Sequence, residues 1–456
     1  MVGGYKRDGG RRPNESTPAA WLTTPPISRS ASTRIPPDPS KFAMRFAIAT
    51  AVAMLAVATT VSAGPFQAIA RLIQLAESRI DTQGAVFFMT NEPEENVVMA
   101  ASIGKDGSLT LEKAVAAGGR GLHGLASPPG ADGLFSQGGI QASAKGQVLA
   151  TVNAGSNTVS LFSINPKSPT DIAPLGDPVS SEGEFPMSLA FNSAGSRLCV
   201  LNGGAVSSVN CFNVDKKLGL VSIPNSRRTI GLNQTTPPSG PPGTASQLVF
   251  NHDESKLIAS VKGNPPAVGF LAIWDVQSNG SLSSEFTKMD TVSGGSLTFS
   301  LTPIPGKNAF LSTDPGVGFT ILDLDDFSRS SAVAIPGQGA TCWSSFSPKT
   351  GSFFLSDANT AIITEVRVDD NLKGSIVNQY PLGPNAATID NDVATINGKD
   401  FFFVMAAEAA SVDVLSLDGP GKAKKAFTMD STTAARRAGV PIDPLSLQGM
   451  THFIRQ

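Results

Sequence analysis

The chain has 456 residues, of which 35 are basic and 37 acidic, and its formal net charge is −2 at pH 7. Because the charge is balanced and no basic stripe is present, we expect no nucleic-acid partner. Charged residues make up 16% and hydrophobic residues 41%, with 45 glycines and 33 prolines. This composition favours a compact, turn-rich all-β protein over a helical repeat.

The first 63 residues indicate the cellular localisation of the protein. Residues 1–43 are rich in Pro, Ser, Thr and Arg without apolar periodicity, so we expect a disordered or spurious extension. Residues 44–63 combine Met44-Arg45, a short Ala-rich apolar run and the small residues Val61-Ser62-Ala63, which predicts a signal peptide cleaved after Ala63. Two start sites stay open, Met44 or Met1. With Met1, residues 46–63 would be an uncleaved membrane anchor, but the run is short for a span, so export is favoured.

A short lead-in and a long repeat follow. Residues 64–83 contain apolar residues at helical spacing, which predicts a short helix packing against the edge of the fold. Residues 84–456 repeat a hairpin of two apolar strands around a polar turn. The second strand of this hairpin begins at Leu149, Leu198, Leu257, Phe310, Phe353 and Phe402, in steps of 43 to 59 residues.

Half a unit is left over at each end of the repeat. Phe87 begins a second strand that no partner precedes, and residues 447–454, LQGMTHFI, form a first strand with nothing after it. Pairing of the two halves completes a seventh unit and closes the ring. The sequence therefore predicts a seven-bladed β-propeller of four-stranded blades, closed by the C-terminal strand pairing into the first blade.

The cysteines and sequons agree with export. Cys199 and Cys211 are equidistant from Ala205 within one hairpin, so we expect them to face each other across two strands and form a disulfide. The alternative is a pair of buried thiols in a reduced protein. Sequons at Asn233 and Asn279 lie in turn-like segments, where an exported protein would be glycosylated.

The expected topology places a site at one end of the central channel. With strands A to D counted from the axis outward, the D-to-A connections and B-to-C turns share one face, called the mouth here. Three long connections meet there and bring groups that can bind an acidic small molecule and move protons. The predicted catalytic residues are His123 and Glu184. The predicted binding residues are Arg120, Glu182, Arg227 and Arg228 from the connections, and Asn153, Asn202 and Lys262 from the ends of B strands.

Each of these residues also has a structural interpretation. An asparagine at a strand end caps its own turn, a loop charge is solvated, and His123 holds a structural hydrogen bond. His252 belongs to an A-to-B turn on the opposite face, and His452 lies in the closing strand, where we expect it to be packed. Because no Cys, His and Asp cluster has ligand spacing and no dinucleotide fingerprint is present, we expect neither a metal nor an organic cofactor.

Two units carry a phrase that is known from one family. Residues 191–202, 146–153 and 159–164 match the pattern F-x-x-D/N-G-x-x-L-Y-V-x-N followed by V-x-V/L-F-x-I. In this phrase the chain resembles the lactonase-type seven-bladed propellers, over about residues 84–456. That family includes bacterial-type 6-phosphogluconolactonase and fungal 3-carboxy-cis,cis-muconate lactonizing enzyme (3-carboxymuconate cyclase). The resemblance implies the propeller fold and a small acidic lactone-type ligand.

The chain departs from the family at the catalytic motif. The family typically begins an innermost strand with an H-x-H-like pair, whose histidine takes part in the lactone chemistry. The matching residues 184–188, EFPMS, contain no histidine. The proton-transfer residue of the family therefore has no counterpart at this position.

Two functions remain at this stage. The resemblance implies a secreted lactonase-like or cyclase-like enzyme, in which Arg227 or Arg228 binds a substrate carboxylate and His123 or Glu184 transfers the proton. The alternative is a catalytically degenerate secreted or cell-surface binding protein, adhesin-like or antigen-like, that uses the same mouth. In both cases we expect a monomer with a small-molecule ligand, and a cell-wall or surface partner belongs to the alternative.

Overall fold

The computed structural model describes residues 72–74, 81–384 and 386–456. The predicted extension (1–43), the predicted signal peptide (44–63) and most of the lead-in (64–83) lie outside the described residues. The part of the lead-in that is described, Leu72–Gln74, corrects the helix prediction, because it forms a strand that pairs with Lys113 to Val115 in the first blade. No helix among the described residues has the length and apolar character needed to cross a membrane.

The described strands form seven antiparallel sheets, each of which is one blade of a ring. Blade 1 consists of β1 (Leu72–Gln74), β2 (Gly84–Met89), β3 (Val97–Ile103), β4 (Leu109–Ala116) and the last strand of the chain. Blade 2 consists of β5 (Ile140–Ser143), β6 (Val148–Asn153), β7 (Thr158–Ile164), β8 (Ile172–Pro174) and β9 (Val179–Ser180). Blade 3 consists of β10 (Pro186–Phe191), β11 (Arg197–Asn202), β12 (Ser208–Asp215), β13 (Gly219–Ser222) and β14 (Arg228–Thr229).

The other blades have four strands each. Blade 4 consists of β15 (Ala245–Phe250), β16 (Lys256–Val261), β17 (Phe270–Asp275) and β18 (Thr287–Asp290). Blade 5 consists of β19 (Thr302–Pro303), β20 (Ala309–Asp314), β21 (Gly318–Asp323) and β22 (Ser331–Ala334), with a 3₁₀ turn at Phe327–Arg329. Blade 6 consists of β23 (Thr341–Ser347), β24 (Ser352–Asp357), β25 (Ile362–Val368) and β26 (Gly374–Pro381). Blade 7 consists of β27 (Thr388–Ile396), β28 (Lys399–Ala406), β29 (Ser411–Leu417) and β30 (Ala423–Asp430), followed by α1 (Thr432–Arg437) and β31 (Gln448–Ile454).

The last strand closes the ring. β31 pairs antiparallel with β2, where Ala85 lies opposite Phe453 and Phe87 lies opposite Thr451. It is the innermost strand of blade 1, so this blade is built from both ends of the propeller sequence. The predicted seven-bladed propeller, closed by its C-terminal strand, is confirmed.

The second strands form the core because side chains on both of their faces pack against neighbouring blades. Every residue of β6, β20 and β24 is buried. Aromatic pairs span the blade interfaces, with ring centroids 5.6 Å apart for Phe354 and Phe402 and 5.0 Å apart for Phe299 and Trp343. Burial of one such phenylalanine contributes about 2–3 kcal/mol. The apolar phrase that repeats in the sequence is therefore the packing surface between blades.

A disulfide supports blade 3. Cys199 on β11 lies directly opposite Cys211 on β12, and the two sulfurs are bonded. The predicted cross-strand pairing is confirmed. It covalently joins the second and third strands of the blade, at a point where both cysteines are fully buried.

An ion pair joins the closing strand to the last blade. His452 Nδ1 on β31 lies 2.7 Å from Asp392 Oδ2 on β27, and the His452 side chain is 29% exposed. His452 is thus largely covered, as expected in the closing strand, and it is also ion-paired. Burial opposes the charged imidazole, but the charge and hydrogen bond of Asp392, together with the charge of Asp400, outweigh it and raise the pKa of His452.

This ion pair makes closure of the ring depend on pH. Because the pKa of His452 is higher in the folded protein, its stabilisation is complete below the unfolded-state pKa of about 6.5. The stabilisation is then lost as the pH rises through the folded-state value. We expect Asp392→Asn to lower the free energy of unfolding by roughly 1 kcal/mol at acidic pH and by little at alkaline pH. Urea unfolding of both proteins across this range measures the difference, and a difference that does not change with pH would contradict the assignment.

Candidate functional site

The polar residues at the ends of three B strands are enclosed by protein. Asn153 Oδ1 accepts a hydrogen bond from Asn96 Nδ2 at 3.0 Å, and Asn202 Nδ2 donates to the Ser181 carbonyl at 3.2 Å. Lys262 Nζ donates to the Phe135 carbonyl at 2.8 Å. Asn153, Asn202 and Lys262 are at most 2% exposed. Their polar groups therefore hold connections in place and do not face a ligand.

The three long connections meet at the mouth, as their order along the chain suggests. The Leu125 amide donates to the Pro238 carbonyl at 2.7 Å, and the Gly240 amide donates back to the Leu125 carbonyl at 3.0 Å. The Thr236 hydroxyl donates to the carboxylate of Glu184. All three connections thus contact one another directly over blades 2 to 4.

The first of these connections fills the channel at the mouth. Residues 132–139, called the axial segment, bond to innermost strands or their ends on several sides of the ring. Trp343 Nε1 donates to the Ser136 carbonyl at 3.1 Å, and the Ser136 hydroxyl donates to the Met187 carbonyl at 2.7 Å. Gln137 Nε2 donates to the Ser344 carbonyl at 2.9 Å. A segment bonded to blades 3 and 6 together must cross the axis, so the expected open pocket is occupied by the chain itself.

The axial segment rests on a buried group of ionisable side chains. Gln448 Nε2 donates to Asp132 Oδ1 at 3.1 Å and to Asp390 Oδ2 at 2.7 Å, and so bridges the two carboxyl groups. Burial, together with the charge of Asp132, raises the pKa of Asp390 to about 8. Burial also raises the pKa of Asp132 and lowers that of Lys262, and the charge of each opposes the shift of the other. Asp390 thus stays protonated at neutral pH, which avoids two buried negative charges.

The predicted charged residues of the second and third connections share a shallow cleft. Glu182, Glu184 and Arg227 line a cavity of about 380 Å³ at the surface. Glu182 and Arg227 also line an adjoining cavity of about 460 Å³ together with Arg228, whose guanidinium donates to the carbonyls of Asn225 and Ser283 at 2.7 and 2.5 Å. Arg120 is exposed and donates to the Gly155 carbonyl at 3.4 Å. The structure therefore brings Glu182, Glu184, Arg227 and Arg228 to two adjoining clefts, and Arg120 lines neither of them.

His123 lies on another side of the mouth. Its Nε2 is 2.9 Å from the Ser446 hydroxyl, which belongs to the connection leading into β31. A Cβ at Gly133 would lie 2.8 Å from the imidazole, so glycine is needed for the ring to rest against this backbone. Burial lowers the pKa of His123, and the charge of Asp443 opposes that shift. His123 is thus neutral at physiological pH and is not a partner of Glu184.

A further cavity of the mouth lies beside His123. It has a volume of about 730 Å³ and is lined by Glu92, Thr432, Arg436 and residues 439–443. We call it the Arg436 groove. The Asp443 amide donates to Glu92 Oε1 at 2.6 Å, and burial raises the pKa of Glu92. A guanidinium and two carboxyl groups therefore surround one concavity, with a neutral imidazole close to its wall.

Glu92, Arg436 and Asp443 are absent from the sites predicted by sequence. The signal that could have found them is the connection of residues 431–447, which is a further long D-to-A connection and contains the basic pair Arg436 and Arg437. Asp132 lies in the same connection as His123 but is not among the predicted site residues. Nothing local in the sequence marks Asp390 or Gln448, because each lies in an ordinary strand.

Comparison with known proteins identifies a family that part of the sequence resembles. The model of the family described as lactonase, 7-bladed beta-propeller, matches residues 78–231. The match covers less than half of the 456 residues, and within it the chain resembles that family. Among curated proteins, none matches the sequence.

Solved structures share the propeller fold of this chain. The periplasmic gluconolactonase of Pseudomonas aeruginosa is 16% identical, with a TM-score of 0.55, over 82% of this chain and 99% of that chain. A candidate 6-phosphogluconolactonase from Bacteroides fragilis is 14% identical, with a TM-score of 0.55, over 83% of this chain and 99% of that chain. At this identity the likeness concerns the fold alone, so the activity of this propeller has to be argued from its own residues.

The buried charges of Lys262 and Asp132 beneath the axial segment make a stability test possible. Lys262→Met leaves Asp132 without its nearby cation and three acceptors without a donor, so we expect a loss of about 3–5 kcal/mol in the free energy of unfolding. Lys256→Met at the other end of β16 is the control, because Lys256 forms an exposed ion pair with Asp275. We expect that control to lose less than about 1 kcal/mol. Equal losses in urea unfolding would show that the Lys262 charge does not stabilise the axial segment.

Proposed function

We propose that this exported propeller binds a small acidic lactone-type molecule, or its ring-opened hydroxy acid, in the Arg436 groove. The observation that supports this proposal is the convergence of Arg436, Glu92 and Asp443 on one cavity of about 730 Å³. A guanidinium pairs with a carboxylate or phosphate through two parallel hydrogen bonds, which favours an acidic ligand. The family relationship supports a lactone as the chemical class.

Hydrolysis of such a lactone requires a base and an acid near the ester group. In the proposed reaction, Glu92 accepts a proton from a water molecule while the water oxygen forms a bond to the lactone carbonyl carbon. The bond between the acyl carbon and the ring oxygen then breaks, and the ring oxygen takes the proton from Glu92. Arg436 holds the acidic substituent of the ligand, and the neutral imidazole of His123 lies near the groove as a second proton acceptor. The raised pKa of Glu92 suits a group that must both accept and return a proton.

Binding without turnover is the second candidate function. The observation that favours it is the absence of histidine from residues 184–188, together with the axial segment that fills the mouth at the axis. The groove is then a recognition site of a secreted or cell-surface protein, which uses the same arginine without the chemistry.

Two neighbouring arginines provide the test of the groove. We expect Arg436→Ala to weaken binding of D-gluconate and 6-phosphogluconate at least about tenfold, since a charge-assisted hydrogen bond contributes about 1.5–3 kcal/mol. Arg437→Ala removes the same charge from the next residue, which does not line the groove, and should change the affinity less than about twofold. Isothermal titration calorimetry measures both affinities. Equal affinities of the two variants would contradict the proposal.

Turnover is measured separately from binding. A pH-stat assay with the corresponding lactones and with carboxymuconolactone tests hydrolysis by the intact protein. We expect Glu92→Gln to abolish hydrolysis while binding of the acids persists, and His123→Ala to lower the rate by a smaller factor. Tight binding by the wild type with no hydrolysis would select the binding protein instead.

Export is part of the proposal. Three observations support it: the predicted signal peptide of residues 44–63, the disulfide of Cys199 and Cys211, and the periplasmic location named for the Pseudomonas aeruginosa relative. Both sequon asparagines, Asn233 and Asn279, are exposed. Asn279 lies in the turn after β17, where its Oδ1 accepts a hydrogen bond from the Ser281 hydroxyl at 2.8 Å.

Glycosylation in a eukaryotic secretion host follows from this placement. We expect the secreted protein to lose apparent mass on treatment with a glycosidase that removes N-glycans, in two steps. Ser281→Ala should remove one step because it destroys the Asn279 sequon, whereas Ser281→Thr should keep both. Gel mobility measures this directly. Unchanged mobility of the wild type after treatment would contradict glycosylation.

A further inference from the structure

The two adjoining clefts of the mouth contain charged side chains that the proposed function does not use. Their volumes are about 460 and 380 Å³, which is the size of many small-molecule sites. Glu182 and Arg227 line both clefts, and Glu184 lines the smaller one. We call them the Arg227 clefts. They lie over blades 2 and 3, whereas the Arg436 groove lies over blades 1 and 7.

The guanidinium of Arg227 is available to a ligand. Arg227 is exposed, and its side chain forms no hydrogen bond or ion pair with the described residues. The neighbouring Arg228 differs, because the carbonyls of Asn225 and Ser283 hold its guanidinium. A free guanidinium binds a carboxylate through two parallel hydrogen bonds. The exposed arginine of the clefts therefore favours a ligand that carries a carboxylate.

Two carboxylates of the clefts are only partly occupied by the protein. Glu182 Oε1 accepts a hydrogen bond from the Ser222 hydroxyl at 2.9 Å. Glu184 accepts one from the Thr236 hydroxyl through Oε2. The second oxygen of each carboxylate has no side-chain partner among the described residues. Because an ammonium group has three N–H donors, it can bind both of these oxygens at once.

The backbone fixes the positions of both glutamates. Glu182 has a φ of 56°, in the left-handed region that non-glycine residues rarely adopt, and its amide donates to the Ser180 hydroxyl at 3.1 Å. The Glu184 amide donates to the Val206 carbonyl at 3.2 Å, and the Glu184 carbonyl accepts from the Gly204 amide at 2.8 Å. The two carboxylates are therefore presented by a backbone that is already ordered, which lowers the entropic cost of binding.

The opposite charges of the clefts do not neutralise each other. Arg227 and Glu182 share both clefts, yet no ion pair joins Arg227 to Glu182 or Glu184 in the part of the chain that the structure describes. The space between them suits a ligand that carries both charges. Apolar surface is present as well, because Val206 is 36% exposed beside Glu184 and Pro224 lines the larger cleft.

We propose that the Arg227 clefts bind a zwitterion, namely a free α-amino acid with an apolar side chain. Arg227 binds its carboxylate, Glu182 and Glu184 bind its ammonium group, and its side chain packs against Val206. The site goes beyond the proposed function and does not rest on it, because none of these residues lines the Arg436 groove.

Three related ligands test the two charges separately. L-leucine carries both charges, N-acetyl-L-leucine lacks the ammonium group, and L-leucine amide lacks the carboxylate. We expect the intact protein to bind L-leucine saturably and each analogue at least about tenfold more weakly, since each analogue loses charge-assisted hydrogen bonds. Saturation-transfer NMR of the leucine methyl signals, recorded as a titration, measures the three affinities. Absence of saturable L-leucine binding, or equal affinities for the three ligands, overturns the proposal.

Variants then assign each charge to its residue. Arg227→Ala should weaken L-leucine binding about tenfold and leave the affinity for L-leucine amide unchanged, because the amide has no carboxylate to lose. Arg437→Ala removes an exposed arginine that lines neither cleft and should change L-leucine binding less than about twofold. Glu182→Gln should weaken L-leucine binding but not N-acetyl-L-leucine binding, with the exposed Glu94→Gln as its control. Equal effects of a variant and its control would overturn the assignment.

One further variant separates this site from the groove. Arg436→Ala should leave L-leucine binding unchanged, and Arg227→Ala should leave D-gluconate binding unchanged. Loss of L-leucine binding in Arg436→Ala would contradict the assignment of the zwitterion to the Arg227 clefts. Failure of D-gluconate to bind any of these proteins would count against the proposed function alone.

Discussion

Pairing of β31 with β2 is the interaction on which the rest of this molecule depends. Six blades are hairpin units that are continuous in sequence, and each could form locally, but the edge of β2 would remain open without the last seven-residue strand. An open edge strand is a site of aggregation, and closure of the ring removes it. The same step brings residues 431–447 beside Glu92 and His123. The Arg436 groove is therefore a product of closure, since its walls come from opposite ends of the propeller sequence.

A second constraint comes from the axis. Seven innermost strands direct backbone polar groups and strand-end side chains toward a narrow channel, and these groups need partners. At the mouth the partners come from the axial segment, which bonds to Met187 and Ser344 on different sides of the ring. The side-chain amide of Gln448 then bridges the carboxyl groups of Asp132 and Asp390, which are too close together to be ionised at the same time. Filling the mouth in this way joins blades 3 and 6 across the axis.

The sequence predicts the fold well because the fold is encoded locally. The apolar phrase that begins at residues such as Leu149 and Phe310 fills the interface between blades, so it must repeat wherever a blade repeats. The disulfide could be predicted for the same reason, because equal spacing of Cys199 and Cys211 about a turn fixes their register. The direction of a polar side chain at a strand end is different, because it depends on which connection arrives above it. Asn153 and Asn202 carry the expected pattern, yet their amides bind the chain itself.

Residues of the candidate site were harder to find because they meet only in three dimensions. Arg436 lies in α1, in the connection before β31, and Glu92 lies in blade 1, so no spacing between them signals a contact. The same holds for His452 and Asp392, which form an ion pair between blades 1 and 7.

Residues 184–188 contain no histidine, and the structure shows what they do instead. In a closed ring every innermost strand borders the same axis, so a group at that axis can come from any blade at a similar height. Here blade 3 begins its innermost strand with Pro186 and Met187, and both are buried. The Met187 carbonyl accepts a hydrogen bond from the Ser136 hydroxyl, so this position anchors the axial segment. The cavity that Arg436 lines lies instead at the rim, where the connections leave room without altering a blade interface.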